Sequence, residues 1–306
     1  MDIEFGMALH SIEDAAANAR RLEALGYDYA GCGEHVSFHG PTANSFISLA
    51  AAAGATTRIR LLSAIVLLPL YPATLAAKLA AALDVVSGGR YHMGIGVGGE
   101  MPREFEACGV SVAERGARVN EALPLLRRLL AGETVDFEGR FNTLHGVRLQ
   151  PRAVQQPLPI WVSGRKDAAM RRAARHGDRW MPYMYTPEML AESIAKVRAW
   201  SLEAGRPIDA VRPTLFVFTC CHEDGARAWA MATEKLGAQY AQDFSKIADR
   251  YVVAGTPDEC RARLKTYIDA GARTIFMSSA CPPDYCDTSE SLIAREVLPA
   301  LRARSP

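Results

Sequence analysis

Residues 84–105 read DVVSGGRYHMGIGVGGEMPREF, and the fold turns on what the glycines in this stretch are for. A helix end meets Ser87-Gly88-Gly89-Arg90. A short apolar strand follows and runs into Gly94, Gly96, Gly98 and Gly99 before an acidic turn. Glycine has no Cβ to block a close neighbour and tolerates positive φ. The run Gly94-Ile95-Gly96-Val97-Gly98-Gly99 satisfies G-x-G-x-x-G, the dinucleotide fingerprint. That motif belongs at a strand-to-helix turn inside a βαβ unit. Here Glu100-Met101-Pro102-Arg103 follows instead of an apolar helix, and the next helical pattern begins near Glu114. The spacing favours a strand-end loop lining a ligand pocket, its missing side chains leaving room for a flat ring. The alternatives are a pyrophosphate turn and a glycine strand packed only against a helix.

On either side of this stretch, short apolar runs alternate with amphipathic ones. Strands are expected at 3–9, 27–32, 60–67, 91–97, 160–162, 178–181, 214–220 and 274–277. Helices are expected at 12–25, 46–54, 73–86, 114–130, 167–176, 187–204, 223–236, 257–270 and 289–302. Gly26 closes the first helix as a C-terminal glycine should. The run 60–67 is apolar without alternation, the pattern of a strand buried on both faces. Strands alternating with helices imply a parallel sheet with right-handed crossovers. Eight such units fit a closed (β/α)8 TIM barrel with insertions, and an open doubly wound sheet is the alternative. The expectation is one barrel domain over 1–306, with a hairpin insertion near 134–158 and a polar-aromatic excursion near 239–254.

Composition narrows the function classes. The chain has 306 residues, 49% of them hydrophobic, enough for a full core. Its 35 basic and 34 acidic side chains give a net charge of +1. Neither nucleic acid nor an anionic membrane is attracted by such a balance, and no basic run interleaves with aromatics. Residues 1–10 lack the basic and apolar regions of a signal peptide, and the run 64–71 is too short to span a bilayer. A cytoplasmic protein is expected. Seven cysteines, an odd number, are expected to be reduced thiols. Cys281 and Cys286 form a lone C-x4-C pair, weak for zinc, and Cys220-Cys221 reads as core.

A barrel places chemistry on the loops after its strands. Those loops carry His10; Glu34, His35 and His39; Pro69 and Tyr71; Gly98–Glu100; Ser163–Lys166; and Pro182–Tyr185. Histidine passes protons near neutral pH, so His35 is the candidate acid–base group; a plain hydrogen bond to backbone is the alternative. Glu34, His35 and His39 lack the helical context and second carboxylate of a metal site, and no metal is expected. Ser163-Gly164-Arg165-Lys166 opens a helix straight after a strand, where free N–H groups and two cations suit a phosphate. An ordinary helix start with solvated charges is the alternative.

These pieces in this order resemble the luciferase-like monooxygenase superfamily, the bacterial-luciferase-type flavin and deazaflavin oxidoreductases. The resemblance runs from the first strand to the last helix. It is carried by Glu34-His35, Thr57–Leu61, Pro72 with Ala76–Lys78, Asp84 with Ser87–Arg90, Gly94–Gly98, Glu104-Phe105, Glu114-Arg115-Gly116, Pro157–Trp161 and Gly177–Trp180. It implies a barrel with a mid-chain insertion and a cofactor, coenzyme F420 or FMN, lying across the strand ends. It also implies a non-prolyl cis peptide at Ala64–Ile65 pressed against the cofactor ring. By the same resemblance, the backbone of Gly96, Val97, Gly98 and Gly99 borders the ring, and Ser163, Gly164 and Arg165 hold its phosphate. His35 handles the proton, tuned by Glu34, while His10, His39, Tyr71, Tyr183 and Tyr185 border a small organic substrate. The chain departs from the sugar-phosphate dehydrogenases of the family at Gly99, with the acid one residue later at Glu100, and at His39 in place of a tryptophan. Those departures count against a sugar-phosphate substrate. The first expectation is hydride transfer with F420. The second is an FMN-dependent monooxygenase fed by a partner flavin reductase. The third is a non-catalytic barrel that only binds flavin or serves as a partner subunit. Family habit implies a homodimer.

Overall fold

A computed structural model of the protein describes residues 3–302. The expected domain over 1–306 includes residues 1–2 and 303–306, which lie outside the described residues. The chain begins with β1 (Glu4–Ala8), α1 (Ala15–Ala24), β2 (Tyr29–Cys32), α2 (Ser45–Ala55), β3 (Arg60–Ser63), β4 (Val66–Leu67) and α3 (Ala73–Val86). Next come β5 (Tyr91–Gly96), α4 (Pro102–Ala107), α5 (Arg115–Leu130), β6 (Val135–Glu138), β7 (Thr143–Val147) and β8 (Ile160–Ser163). Then follow α6 (Asp167–His176), β9 (Arg179–Met181), α7 (Pro187–Glu203), β10 (Arg212–Cys221), α8 (Gly225–Tyr240) and α9 (Ala248–Tyr251). The chain closes with β11 (Val252–Gly255), α10 (Pro257–Asp269), β12 (Thr274–Ser279), α11 (Cys286–Leu292) and α12 (Leu298–Arg302).

Parallel pairing runs β1–β2–β3–β5–β8–β9–β10–β12, and β12 returns to β1 with Glu4 opposite Thr274. The ring is closed, so the (β/α)8 barrel holds and the open sheet does not. Tyr29, Leu62, Trp161, Met181 and Phe276, one from each of five strands, form an aromatic-rich core of their own. A Cβ added to Gly6 or Gly31 would lie 2.5 or 2.4 Å from the Phe276 ring, so those glycines yield the barrel axis to it. A larger core fills the space between strands and helices. Near the strand starts, Glu4 pairs with Arg60 at 2.6 Å and Arg179 at 2.5 Å. Among the described residues, no helix is long and apolar enough to cross a membrane.

Three elements differ from expectation. The apolar run 60–67 is two strands, β3 and β4, broken at Ala64–Ile65. The acidic turn after the glycines is the helix α4: Pro102 fits the first turn, Glu104 complements the dipole there, and Gly109 (φ +68°) closes it. The excursion near 239–254 ends in a further parallel strand outside the ring of eight, β11, with all four residues buried. Too short to show a period, it pairs with the far half of β10, Phe218 opposite Val252. Strands β6 and β7 pair antiparallel as a hairpin apart from the barrel sheet.

Candidate active site

The site is built on the break between β3 and β4. The Ala64–Ile65 peptide is cis, as the resemblance implied. A Cβ on Gly33 would lie 2.9 Å from the Ala64 oxygen, one on Gly94 2.0 Å from the Ser63 oxygen, and one on Gly96 2.0 Å from Ile65 Cδ1. This corrects the expectation that the glycines leave room for a ring: the space above Gly94 and Gly96 is filled by the bulge itself. Gly98 likewise yields to Leu67 and Phe105, and Gly99 (φ +105°) to Arg115, while Val97 packs on the main core. Half-buried apolar residues cover the barrel core here as a shelf. Ala8, Ala64, Ile65 and Phe216 are half-buried and pack on the barrel core. We expect Gly94→Ala to force β3 and β5 apart and cost about 3 kcal/mol, overpacking against backbone. Chemical denaturation reads this, and a variant of wild-type stability would mean the strands can shift.

His35 leaves the end of β2 beside this shelf. Its Nδ1 lies 3.2 Å from both carboxylate oxygens of Glu104, which is fully buried, and Val36 N–H donates to Glu104 Oε2 at 3.0 Å. The carboxylate beside His35 is therefore Glu104, not Glu34. Glu34 turns the other way and is buried. It accepts hydrogen bonds from Leu67 N at 3.0 Å, Ser45 N at 3.2 Å, Asn44 Nδ2 at 3.3 Å and Tyr71 Oη at 3.3 Å. Burial raises its pKa, and these donors offset part of the rise. Glu34 thus ties the β2 loop to β4 and to the start of α2. Tyr71 belongs to the same knot, pushed up to about 12 by burial and then by Glu34. On its other side it borders a cavity of about 230 Å³ shared with Arg118, Phe141 and Asn142.

Across the barrel, Ser163 ends β8 and Gly164 follows it. Trp180 Nε1 donates to the Gly164 oxygen at 3.0 Å, and Tyr185 Oη to the Arg165 oxygen at 3.0 Å. Tyr185 is buried, so it braces this loop from behind and does not face a substrate. The Arg165 guanidinium lies 4.6 Å over the Tyr183 ring, and Tyr183 Oη donates to Glu100 Oε1 at 3.0 Å. Burial and then Glu100 raise the Tyr183 hydroxyl. Helix α6 starts here without a side-chain cap, leaving its first N–H groups unclaimed by one. Two cations that sequence reasoning missed lie nearby. Arg115 touches the Gly99 position, and its charge lowers the pKa of Arg172, after burial. Arg115 donates to the Val112 oxygen and Arg172 to Asn120 Oδ1, and among the described residues neither pairs with a carboxylate. The signal was Arg115, inside the quoted Glu114-Arg115-Gly116.

The other candidates scatter. His10 packs against Asn18, Glu290 and Asp287, and its pKa is raised, chiefly by Glu290. Arg21 pairs with both of those carboxylates, so the cluster already holds its countercharge. His39 is exposed and meets Phe38 edge-on at 4.9 Å. Phe38 stacks on His35 at 4.3 Å and touches Tyr240. Tyr240 meets Phe218, which meets Phe216 of the shelf. The excursion near 239–254 thus helps make an aromatic wall from His35 to the shelf.

The family model described as luciferase-like monooxygenase matches residues 4–274. A Mycobacterium tuberculosis protein, named only as uncharacterized, is 37% identical over 166 residues, 54% of this chain and 57% of the relative. The chain thus matches little more than half of that relative's length. The F420-dependent glucose-6-phosphate dehydrogenase of Amycolatopsis mediterranei is 26% identical over 95% of both chains. The crystal structure of monooxygenase RslO1 from Streptomyces bottropensis superposes with a TM-score of 0.86 at 28% identity, covering 98% of this chain and 100% of that one. The match over residues 4–274, on a closed barrel with a third strand broken at a cis peptide, shows that the chain belongs to the luciferase-like monooxygenase family.

Proposed function

We propose that the protein is an oxidoreductase using coenzyme F420 to move a hydride to or from a small organic substrate. The observation that carries this reading is the set of half-buried apolar residues over the barrel core, Ala8, Ala64, Ile65 and Phe216, with a partly exposed His35 after β2 and Arg165 after β8. A flat ring fits such a shelf, and a phosphate fits the first N–H groups of α6 with Arg165, Arg115 and Arg172 about it. Bound there, the deazaflavin supplies the hydride chemistry. The chain's own residues do the rest: the shelf and Phe38 exclude water, the loop Ser163–Arg165 anchors, and His35 gives or takes the accompanying proton. Tyr183, Glu100 and His39 border the substrate's approach. The Amycolatopsis relative, named for F420 dependence, supports this cofactor. Its sugar-phosphate substrate is not carried over, because Gly99 and His39 depart from that pattern.

A second reading, an FMN-dependent monooxygenase fed by a flavin reductase, is favoured by the likeness to RslO1. Titrating the cofactor-free protein separately with F420 and with FMN separates the two. Saturable binding of F420 alone is the expected result. Binding of FMN alone, with oxygen consumed once the flavin is reduced, would establish the second reading. Binding of neither would sink both.

A further inference from the structure

We infer that Glu104 is a positioning residue: it fixes the proton of His35 on Nδ1 and leaves Nε2 as the nitrogen that exchanges a proton at the mouth. This rests on the proposed role of His35. The argument is one of donors and acceptors. Glu104 is wholly buried, on α4, yet its carboxylate reaches back 69 positions to the end of β2. An ionised carboxylate only accepts. It receives the Val36 N–H at 3.0 Å and has His35 Nδ1 at 3.2 Å from both oxygens, so Nδ1 must be the donor. Among the described residues Nε2 has no hydrogen-bond partner, and the side chain is 22% exposed. Phe38, stacked on the ring at 4.3 Å, keeps it from turning over. A buried carboxylate that settles which ring nitrogen carries the proton is the role of the aspartate in a Ser-His-Asp triad, where the matching amide drops turnover by about 10⁴ through the wrong tautomer. In this protein the imidazole would instead hold the proton that accompanies the proposed hydride transfer, taken from the group that loses hydride or given to the one that gains it.

The test is spectroscopic. In ¹⁵N-labelled protein on the alkaline side of the imidazole titration, long-range ¹H–¹⁵N correlation shows which His35 nitrogen bears the proton, and His35→Ala assigns the signal. The wild type is expected to show Nδ1–H. In Glu104→Gln the Val36 N–H holds the amide oxygen, so the amide NH2 faces Nδ1 and the proton moves to Nε2. Turnover then falls on the order of 10²-fold, with KM and cofactor affinity near wild type. Glu104→Asp keeps an acceptor and keeps Nδ1–H. A wild-type signal from Nε2–H, or an unchanged tautomer in folded Glu104→Gln, would overturn the inference. Because the tautomer is read without turnover, a wrong cofactor assignment leaves this result intact. Conversely, a confirmed tautomer beside an indifferent His35→Ala would discard only the catalytic role.

Discussion

His35→Ala is expected to lower turnover by about 10²–10⁴-fold, the usual worth of one positioned acid–base group, while cofactor affinity stays within a few-fold of wild type. The two effects separate because different residues carry them. Affinity is assigned to the shelf of Ala8, Ala64, Ile65 and Phe216 and to the cations by the start of α6, none of which bonds the imidazole. Alanine also leaves the buried Glu104 with Val36 N–H as its remaining donor, a loss of about 1–3 kcal/mol of stability. His35→Asn, which can still donate from a side-chain N–H, separates that structural cost from the chemical one: both variants should be slow, and only alanine markedly less stable. Steady-state turnover, cofactor titration and denaturation of the three proteins check this. Wild-type turnover in either variant would remove His35 from the reaction.

The barrel was legible because its causes are local and repeat. Each strand is a short apolar run and each helix an amphipathic one, and their alternation constrains topology strongly. The site was legible only as far as loops after strands can be named. Adjacency misleads within such a loop. Glu34 and His35 are neighbours in sequence, yet the extended backbone sends one carboxylate into the knot with Ser45, Leu67 and Tyr71 and the imidazole toward Glu104. Tyr183 and Tyr185 divide in the same way, one to the mouth and one behind the loop. The partner of His35 sits on α4, a helix of six residues whose apolar period is too short to read. The glycines do mark close approach, but not of a ring: the Ser63 oxygen of β3 fills the space at Gly94 and the Ile65 side chain that at Gly96, which depends on the strand order of the barrel.

At the opposite end of the barrel from the site, Glu4→Gln is expected to cost about 2 kcal/mol, the loss of a half-buried ion cluster that solvent partly screens. Glu4 opens β1 and is ringed by Arg60, Arg179 and Arg212, from β3, β9 and β10, with Thr274 Oγ1 of β12 donating to it at 2.9 Å. One carboxylate thus fastens five of the eight barrel strands. Burial alone would raise its pKa. Arg179, by hydrogen bond and charge, then Arg60 and Arg212, more than offset that and hold it at about 2 against an ordinary 4.5. The folded pKa is depressed, so this stabilisation is complete above the unfolded value and is lost as pH falls from about 4.5 through about 2. Glutamine cannot titrate, and it leaves three guanidinium groups without their shared anion. Denaturant titrations at pH 7 and again near pH 3 should therefore show a large gap between wild type and variant at the first pH and a smaller one at the second. A gap that does not narrow with acid would mean that Glu4 acts through packing and not through charge. No gap at pH 7 would mean that the arginines find other partners, and the barrel's closure would then rest on its hydrogen-bonded strands alone.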